Sequence, residues 1–205
     1  MPKPPGDPLE ICILAGGLSQ RMGRDKAQLR LGRKTMLGQI QATARATGWP
    51  VRVIRHDLVA RCGPLGGVYT ALQTTRTEAV LFLACDVPFV SVQLIGRLVR
   101  EFQATPAALF IARNGRIGFP FLLPRRNLAA VARQLERGEL SLQGLAMAVN
   151  GKRLVLPRAL ALQLRNVNTP GDWERARRLW SRRKKAAPAG KARTGGVRTG
   201  RAVSG

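Results

Sequence analysis

The stretch LAGGLSQRMGRDK, residues 14–26, follows an apolar run and combines three glycines with basic side chains. Glycine lets the backbone approach a ligand closely, so that N–H groups can reach phosphate oxygens. Arg21 and Lys26 add positive charge at the same place. The spacing matches neither a P-loop nor the dinucleotide pattern G-x-G-x-x-G. The stretch therefore predicts a phosphate-binding loop of another kind, with a plain strand-to-helix connection as the alternative.

Two aspartates follow predicted strands. Asp86 comes directly after the apolar run at 79–85. A carboxylate there can hold a Mg²⁺ ion that bridges nucleotide phosphates, or it can cap a turn. Asp57 follows the strand at 51–54 and could contact a base, a ribose or the metal, or have a structural role. His56, the one histidine, is expected to be a solvated loop residue, since no motif places a nucleophile beside it.

Apolar periodicity predicts alternating strands and helices, which is typical of a mostly parallel sheet with helices on both faces. The predicted strands cover residues 10–15, 51–54, 79–85, 107–112, 119–123 and 152–156, and the predicted helices cover 34–47, 67–76, 91–103, 127–137, 141–149 and 171 to about 184. Ser91 is the expected N-cap of its helix, and the glycine-rich segment 63–67 is expected to be a loop. Ligands of such sheets bind at the carboxyl ends of the strands. Four candidate residues are therefore expected along one edge: Gly16, Gly17, Asp57 and Asp86.

The chain has 205 residues and a formal net charge of +24, and eight of its Lys and Arg residues lie in 181–205, which contains no acid. We expect one domain over 10–180, a disordered segment at 1–9 and a disordered basic tail at 181–205. Basicity favours either nonspecific nucleic-acid binding or phosphorylated small molecules as ligands, and charge alone does not decide between them. A polar start and the lack of a long apolar run predict a cytoplasmic protein without a membrane partner.

The three cysteines, Cys12, Cys62 and Cys85, form no C-x-x-C pair. Their odd number and spacing favour neither a disulfide framework nor a zinc site. Cys12 and Cys85 lie inside apolar runs and are expected to be buried thiols.

Four motifs, in the right order, resemble those of the molybdenum cofactor guanylyltransferases of the nucleotidyltransferase superfamily. The first is LAGG at 14–17 followed by Arg21-Met22-Gly23 and Asp25-Lys26, and the others are GPLGG at 63–67, ACDVPF at 84–89, and NVNTP at 166–170 with Asp172. The likeness spans roughly residues 10–180. It implies a Rossmann-like nucleotidyltransferase domain that joins GMP from GTP to the molybdopterin-bound molybdenum cofactor, with Mg²⁺, and releases pyrophosphate.

The same resemblance implies roles for single residues. Leu14, Ala15, Gly16 and Gly17 would line the guanine nucleotide, with Asp57. Lys26 would bind the phosphates, and Asp86 would bind the metal as well as the nucleotide. Arg21 is added as a phosphate-neutralising group from its charge and spacing. Because both substrates are polyanions, catalysis would consist of positioning and charge neutralisation by Arg21, Lys26 and Asp86-bound Mg²⁺, without a covalent enzyme intermediate.

Alternatives remain open on substrate and class. Cytidylyltransferase relatives typically carry LAAG, so the glycine at 16 favours the larger purine by analogy. The chain is short between 34 and 57 compared with the family pattern, which leaves a CTP-dependent enzyme or another nucleotidyltransferase as an alternative. A noncatalytic basic nucleic-acid-binding protein is a weaker one, because the few aromatic residues do not alternate with the basic ones. GTP and the molybdenum cofactor are the expected partners, with no specific nucleic acid, and molybdoenzyme maturation proteins are a further option.

Overall fold

The structure, a computed structural model, describes residues 8–16, 28–59 and 62–186. Gly17, Arg21 and Lys26, and most of the predicted disordered segments, lie outside these ranges. No helix of the described residues is both long and apolar enough to cross a membrane.

The described residues form eight strands and seven α-helices. The strands are β1 (Leu9–Leu14), β2 (Arg30–Leu31), β3 (Lys34–Thr35), β4 (Val51–Ile54), β5 (Ala79–Ala84), β6 (Leu109–Arg113), β7 (Arg116–Pro124) and β8 (Lys152–Leu154). The helices are α1 (Met36–Arg45), α2 (Gly63–Thr74), α3 (Val92–Ala104), α4 (Leu128–Glu136), α5 (Leu142–Ala148), α6 (Arg158–Ala161) and α7 (Pro170–Ala186), with 3-10 turns at Arg125–Asn127 and Leu162–Leu164.

Six of the strands form one sheet in the order β4-β1-β5-β7-β6-β8. Three neighbouring pairs are parallel, and β7 runs antiparallel to both of its neighbours. The sheet is thus mostly parallel, as predicted. The direction of β7 follows from its turn, because Asn114 and Gly115 join it to β6 with φ of 49° and 73°. Positive φ at both positions is the requirement of a two-residue hairpin turn.

The sheet is buried on both faces. Alternate residues of β1 and β5 point to opposite sides, so Ile11 and Leu81 belong to one apolar core and Cys12 and Phe82 to another. The first core is completed by α1 and α3, and the second by α2, α4 and α5. Because both faces are covered, every residue of β1 and β5 is buried. This is why β5 is apolar throughout and β1 is apolar apart from Glu10, which pairs with Arg52 at 2.6 Å.

Several local predictions differ from the structure. The helix predicted at 34–47 begins only at Met36, because Lys34 and Thr35 form β3. The segment 63–67 is not a loop but the first turns of α2, with Pro64 near the start of the helix, where its missing N–H costs nothing. Cys85 is half-buried rather than buried, while Cys12 is fully buried. Burial raises the pKa of the Cys12 thiol to about 12. Ser91 does cap α3, where its hydroxyl oxygen accepts from Leu94 N at 3.2 Å.

A third, smaller core joins α7 to the β2–β3 hairpin. Helix α7 extends to Ala186, past residue 181, and packs on the β2–β3 hairpin through Trp173, Leu179 and Trp180. Gly32 in the hairpin turn has φ of +66°, and a Cβ there would lie 2.7 Å from Trp180 Nε1. Glycine is therefore needed at 32 both for its backbone conformation and for the approach of the indole.

Candidate functional site

The ends of three parallel strands lie side by side and define what we call the carboxyl edge. Leu14 of β1 is in register with Ile54 of β4 and Ala84 of β5. The alignment continues one residue further, since Ala15 N donates to the Ile54 carbonyl at 2.9 Å and Cys85 N donates to the Leu14 carbonyl at 3.3 Å. Gly16, Asp57 and Asp86 therefore leave the sheet at the same edge.

Gly16 is held against the neighbouring chain segment. A Cβ at this position would lie 2.9 Å from the carbonyl oxygen of Arg55, closer than real Cβ contacts come. The space left by the missing side chain is thus filled by backbone and is not room for a purine. Gly16, the first glycine of LAGG, is therefore required by the packing of the chain after β1 against the chain after β4, whether or not a ligand binds.

Asp57 lies over the first turns of α2. A Cβ at Gly66 would lie 2.9 Å from Asp57 Oδ2, and one at Gly67 would lie 3.3 Å from Oδ1 and 3.1 Å from a methyl of Leu14. The loop is fixed by Thr70, whose hydroxyl donates to the Gly66 carbonyl at 2.8 Å and accepts from the backbone N of residue 58 at 2.8 Å. Two glycines in one helix turn therefore admit the end of β1 and the Asp57 carboxylate together.

The Asp57 carboxyl is partly desolvated by this contact. Burial raises its pKa above the ordinary value, and the neighbouring His56 opposes that shift only in part. The residue as a whole remains exposed, as does His56. A carboxylate that is desolvated on one side and open on the other is suited to accept hydrogen bonds from a ligand.

Asp86 is half-buried at the end of β5, and its backbone carbonyl accepts from Val167 N at 2.8 Å. This bond brings the motif at 166–170 directly against the carboxyl edge. Among the described residues no cluster of three His, Cys, Asp or Glu side chains could hold a metal by itself. Mg²⁺ in nucleotide enzymes is bound by one or two carboxylates together with substrate phosphates, so Asp86 fits as a protein ligand of such an ion.

The motif at 166–170 ends in a capping box. Thr169 Oγ1 accepts from Asp172 N at 3.1 Å, while Asp172 Oδ2 accepts from the backbone N of Thr169 at 2.9 Å and of Asn168 at 3.1 Å. Pro170 takes the first helical position of α7, which suits its fixed φ. Burial by itself would raise the pKa of Asp172, but hydrogen bonds from the Thr169 hydroxyl, Arg175 and the two amides outweigh it and lower the pKa to about 2.

An open cavity of about 280 Å³ lies beside this motif. Its polar wall consists of Arg113 at the end of β6, Arg165 before the motif, and Arg175 on α7, and we call it the arginine cavity. Phe89 and Leu179 form an apolar part of the wall, and Asp172 contributes the one carboxylate. Arg175 Nη2 donates to Asp172 Oδ1 at 2.7 Å.

The structure brings together Leu14, Ala15, Gly16 and Asp57, and the contact of Asp86 with Val167 adds the 166–170 motif. Gly17, Arg21 and Lys26 lie outside the described residues. Sequence reasoning did not single out the three arginines of the cavity. The available signal was position, since Arg165 directly precedes the motif and Arg175 follows Asp172 by three residues on a helix.

Comparison with known proteins gives the family. The model of the MobA-like NTP transferase domain matches residues 11–56 and 40–151. A probable molybdenum cofactor guanylyltransferase of Opitutus terrae is 31% identical, with 81% of this chain and 93% of that protein covered. A molybdenum cofactor guanylyltransferase of Pseudomonas putida is 33% identical over 66% of this chain and 81% of the relative.

The fold agrees with a solved structure. Molybdopterin-guanine dinucleotide biosynthesis protein A of Archaeoglobus fulgidus superposes with a TM-score of 0.67 at 18% identity, covering 84% of this chain and 99% of that one. The sequence and fold comparisons agree, and this chain belongs to the MobA-like NTP transferase domain family.

Proposed function

We propose that this protein transfers GMP from GTP to the molybdopterin-bound molybdenum cofactor and releases pyrophosphate. The observation that carries the proposal is the carboxyl edge, where Gly16, Asp57 and Asp86 converge and the 166–170 motif contacts the Asp86 backbone. Relatives that bear the name molybdenum cofactor guanylyltransferase support guanylyl transfer as the reaction.

Each residue of the carboxyl edge has a part in binding. Leu14, Ala15 and Gly16 bring the backbone close to the nucleotide, because the tight packing of Gly16 against Arg55 fixes the path of the chain. Gly17, which lies outside the described residues, is assigned to the nucleotide from the motif alone. Asp57 accepts hydrogen bonds from the base or the ribose, since its carboxyl faces solvent beside α2.

The reaction joins two anions. A terminal phosphate oxygen of the acceptor forms a bond to the α-phosphorus of GTP, and the bond from that phosphorus to the bridging oxygen of the β-phosphate breaks, so that pyrophosphate leaves. Arg21 and Lys26 neutralise phosphate charge, and Asp86 would hold a Mg²⁺ ion. Mg²⁺, when bound, supplies further neutralisation between the phosphates. No side chain needs to form a covalent intermediate, because the attacking group is already an anion.

Calorimetric titration of GTP with and without Mg²⁺, on the wild type and on Asp86→Ala, tests the assignment. We expect tight binding only with Mg²⁺ and only in the wild type. Glu136→Gln is the matched control, because Glu136 is an exposed carboxylate at the end of α4. Release of pyrophosphate on addition of loaded cofactor completes the test, and a wild type that releases none with GTP would overturn the proposal.

A cytidylyltransferase is the second candidate, because the connection between α1 and β4 is short. Only residues 46–50 separate Arg45 from Val51, and β4 is the edge strand beside β1. Competition of GTP with CTP, ATP and UTP decides between the candidates. A preference for CTP would replace the guanylyl assignment and leave the proposed roles of Asp86 and Lys26 intact.

A further inference from the structure

We propose that the arginine cavity binds the terminal phosphate of the acceptor, with Arg165 as the residue that determines specificity for it. This inference rests on the proposed function, since it names the place where the second substrate is held. The ligand class is a phosphate monoester dianion attached to a small ring system.

The cavity opens at the carboxyl edge. β7 is antiparallel to both β5 and β6, so β6 runs in the same direction as β5, and Arg113 at its end lies at the same edge as Ala84. The described residues proposed for the nucleotide lie on the side of β4 and β1, whereas the cavity lies on the side of β7 and β6. Asp86, at the end of β5, lies between these two sides. This is the position expected of a group that contacts both the nucleotide phosphates and the acceptor phosphate.

The cavity is also joined to Asp86 through the backbone. Val167, whose N–H donates to the Asp86 carbonyl at 2.8 Å, is part of the cavity wall. The capping box holds the next residues in place through Asp172. An anion bound beside Arg165 is therefore held at a fixed place relative to the proposed metal carboxylate, which is what positioning of an attacking phosphate requires.

The charge of the cavity fits a phosphate dianion. Three arginines and one aspartate line the cavity, so its lining carries an excess of two positive charges. The carboxylate of Asp172 is occupied by Arg175 and the capping box. Arg113 Nη1 donates to the Leu164 carbonyl at 3.2 Å, and Arg165 has no hydrogen bond or ion pair with any other residue that the structure describes. Its planar guanidinium is thus available for bidentate binding of phosphate oxygens.

The size of the cavity favours the acceptor over a nucleotide. A volume of about 280 Å³ lies near the lower end of the range for small-molecule sites, roughly 300–1,000 Å³. Phe89 and Leu179 supply an apolar surface beside the arginines for part of a ring. The size and the lining of the cavity therefore suit a phosphate with part of an attached ring better than a complete nucleoside triphosphate.

Steady-state kinetics of Arg165→Ala test the inference. We expect the KM for the molybdenum cofactor to rise roughly tenfold or more, as the loss of charge-assisted hydrogen bonds predicts, with the Kd of GTP unchanged. Arg158→Ala is the matched control, because Arg158 is exposed nearby and does not line the cavity. Arg175 is unsuitable for this test, since its loss also breaks the pair with Asp172. An unchanged KM for the cofactor, or a weakened GTP affinity, would overturn the inference.

Inorganic phosphate provides a readout independent of turnover. We expect phosphate to raise the Tm of the wild type in the presence of saturating GTP, and Arg165→Ala to lose this shift while Arg158→Ala keeps it. Displacement of phosphate by GTP, or an equal shift in Arg165→Ala, would place the anion elsewhere and overturn the inference. A wild type that shows the phosphate shift but releases no pyrophosphate from GTP would instead contradict the proposed function and leave the cavity as an anion site.

Discussion

The carboxyl edge and the arginine cavity meet at Asp86 but are built in opposite ways. Around Asp57, the described edge consists of closely packed backbone with carboxylates, and glycines at 16, 66 and 67 admit neighbouring chain. The cavity is an open space between Phe89, the end of β6, the segment 165–167 and α7, and three of its lining residues are arginines. Close packing leaves almost no freedom for substitution at the carboxyl edge. In the arginine cavity, the property that matters is the charge of the lining side chains.

The difference indicates how one protein handles two anions. Asp57 and Asp86 bring negative charge to the edge. A triphosphate bound there, as we propose, would need neutralisation by a metal ion and by the basic residues of the 14–26 stretch. In the arginine cavity, as we propose, the guanidinium groups would supply the compensating charge themselves. Arginine keeps its charge at every physiological pH. Because this charge belongs to the side chain itself, the compensation would not depend on the concentration of a metal ion.

The largest effect is expected at Asp86, where both regions converge. Asp86→Asn keeps the size of the side chain but removes the charge that we assign to metal binding, and we expect kcat to fall roughly a hundredfold to a thousandfold. Single-turnover pyrophosphate release measures the loss. Glu136→Gln should leave the rate unchanged, and a similar rate in Asp86→Asn would show that the edge does not depend on this carboxylate.

The next largest effect is on stability at the carboxyl edge. Gly16→Ala places a Cβ 2.9 Å from the Arg55 carbonyl, and we expect a loss of about 1–3 kcal/mol in the free energy of unfolding. Urea denaturation measures it. Gly118→Ala is the control, since a Cβ there meets no atom within 4 Å. Equal stability of the two variants would mean that the edge tolerates an alanine and is less tightly packed than the structure indicates.

A smaller loss is expected at the wall of the arginine cavity. Asp172→Asn weakens the capping box and the pair with Arg175, at a cost of about 1 kcal/mol at neutral pH. Because the folded pKa is lowered from 3.8 to about 2, this stability is complete above the ordinary carboxyl pKa and disappears as the pH falls through about 2. Urea denaturation across that range measures it, with Glu174→Gln as an exposed control. A loss of stability in Asp172→Asn that stays constant down to the lowest pH would contradict the lowered pKa of Asp172.

The smallest effect has the opposite sign. Burial raises the pKa of Asp57, so the folded state disfavours its charged form, and stability is lost as the pH rises through the raised pKa. Asp57→Asn should therefore be more stable than the wild type at neutral pH, by at most about 0.5 kcal/mol, and this advantage should vanish in acid. We expect weaker GTP binding in the same variant. Reduced stability at neutral pH would contradict the desolvation of this carboxyl.

The parts of the fold that the sequence predicted best are those buried on both faces. The strands at 9–14 and 79–84 were predicted within one residue at each end, because burial on both faces favours apolar side chains and Glu10 is the one charged residue in either strand. The start of α2 at Gly63 was missed because glycine and proline are typical of loops. Tertiary contact decides there, as Leu14 and Asp57 occupy the space beside the glycines. The Asn114-Gly115 dipeptide was a usable hairpin signal for the direction of β7.

The candidate site was predictable to the extent that its residues follow strands. Gly16, Asp57 and Asp86 each come directly or closely after an apolar run, and parallel strands bring their ends together. The arginine cavity was not predictable in this way. Arg113, Arg165 and Arg175 come from β6, a connection and α7, and no spacing rule joins these segments.

The contact of Trp180 with Gly32 bears on how the polypeptide folds during translation. The hairpin that carries Gly32 is translated well before the helix that covers it, which begins at Pro170. Until α7 has left the exit tunnel, the apolar side chains of Leu31 and Met36 lack their cover. A nascent chain stalled before residue 170 would expose this patch to chaperones, so the hairpin is covered only after α7 has been synthesised.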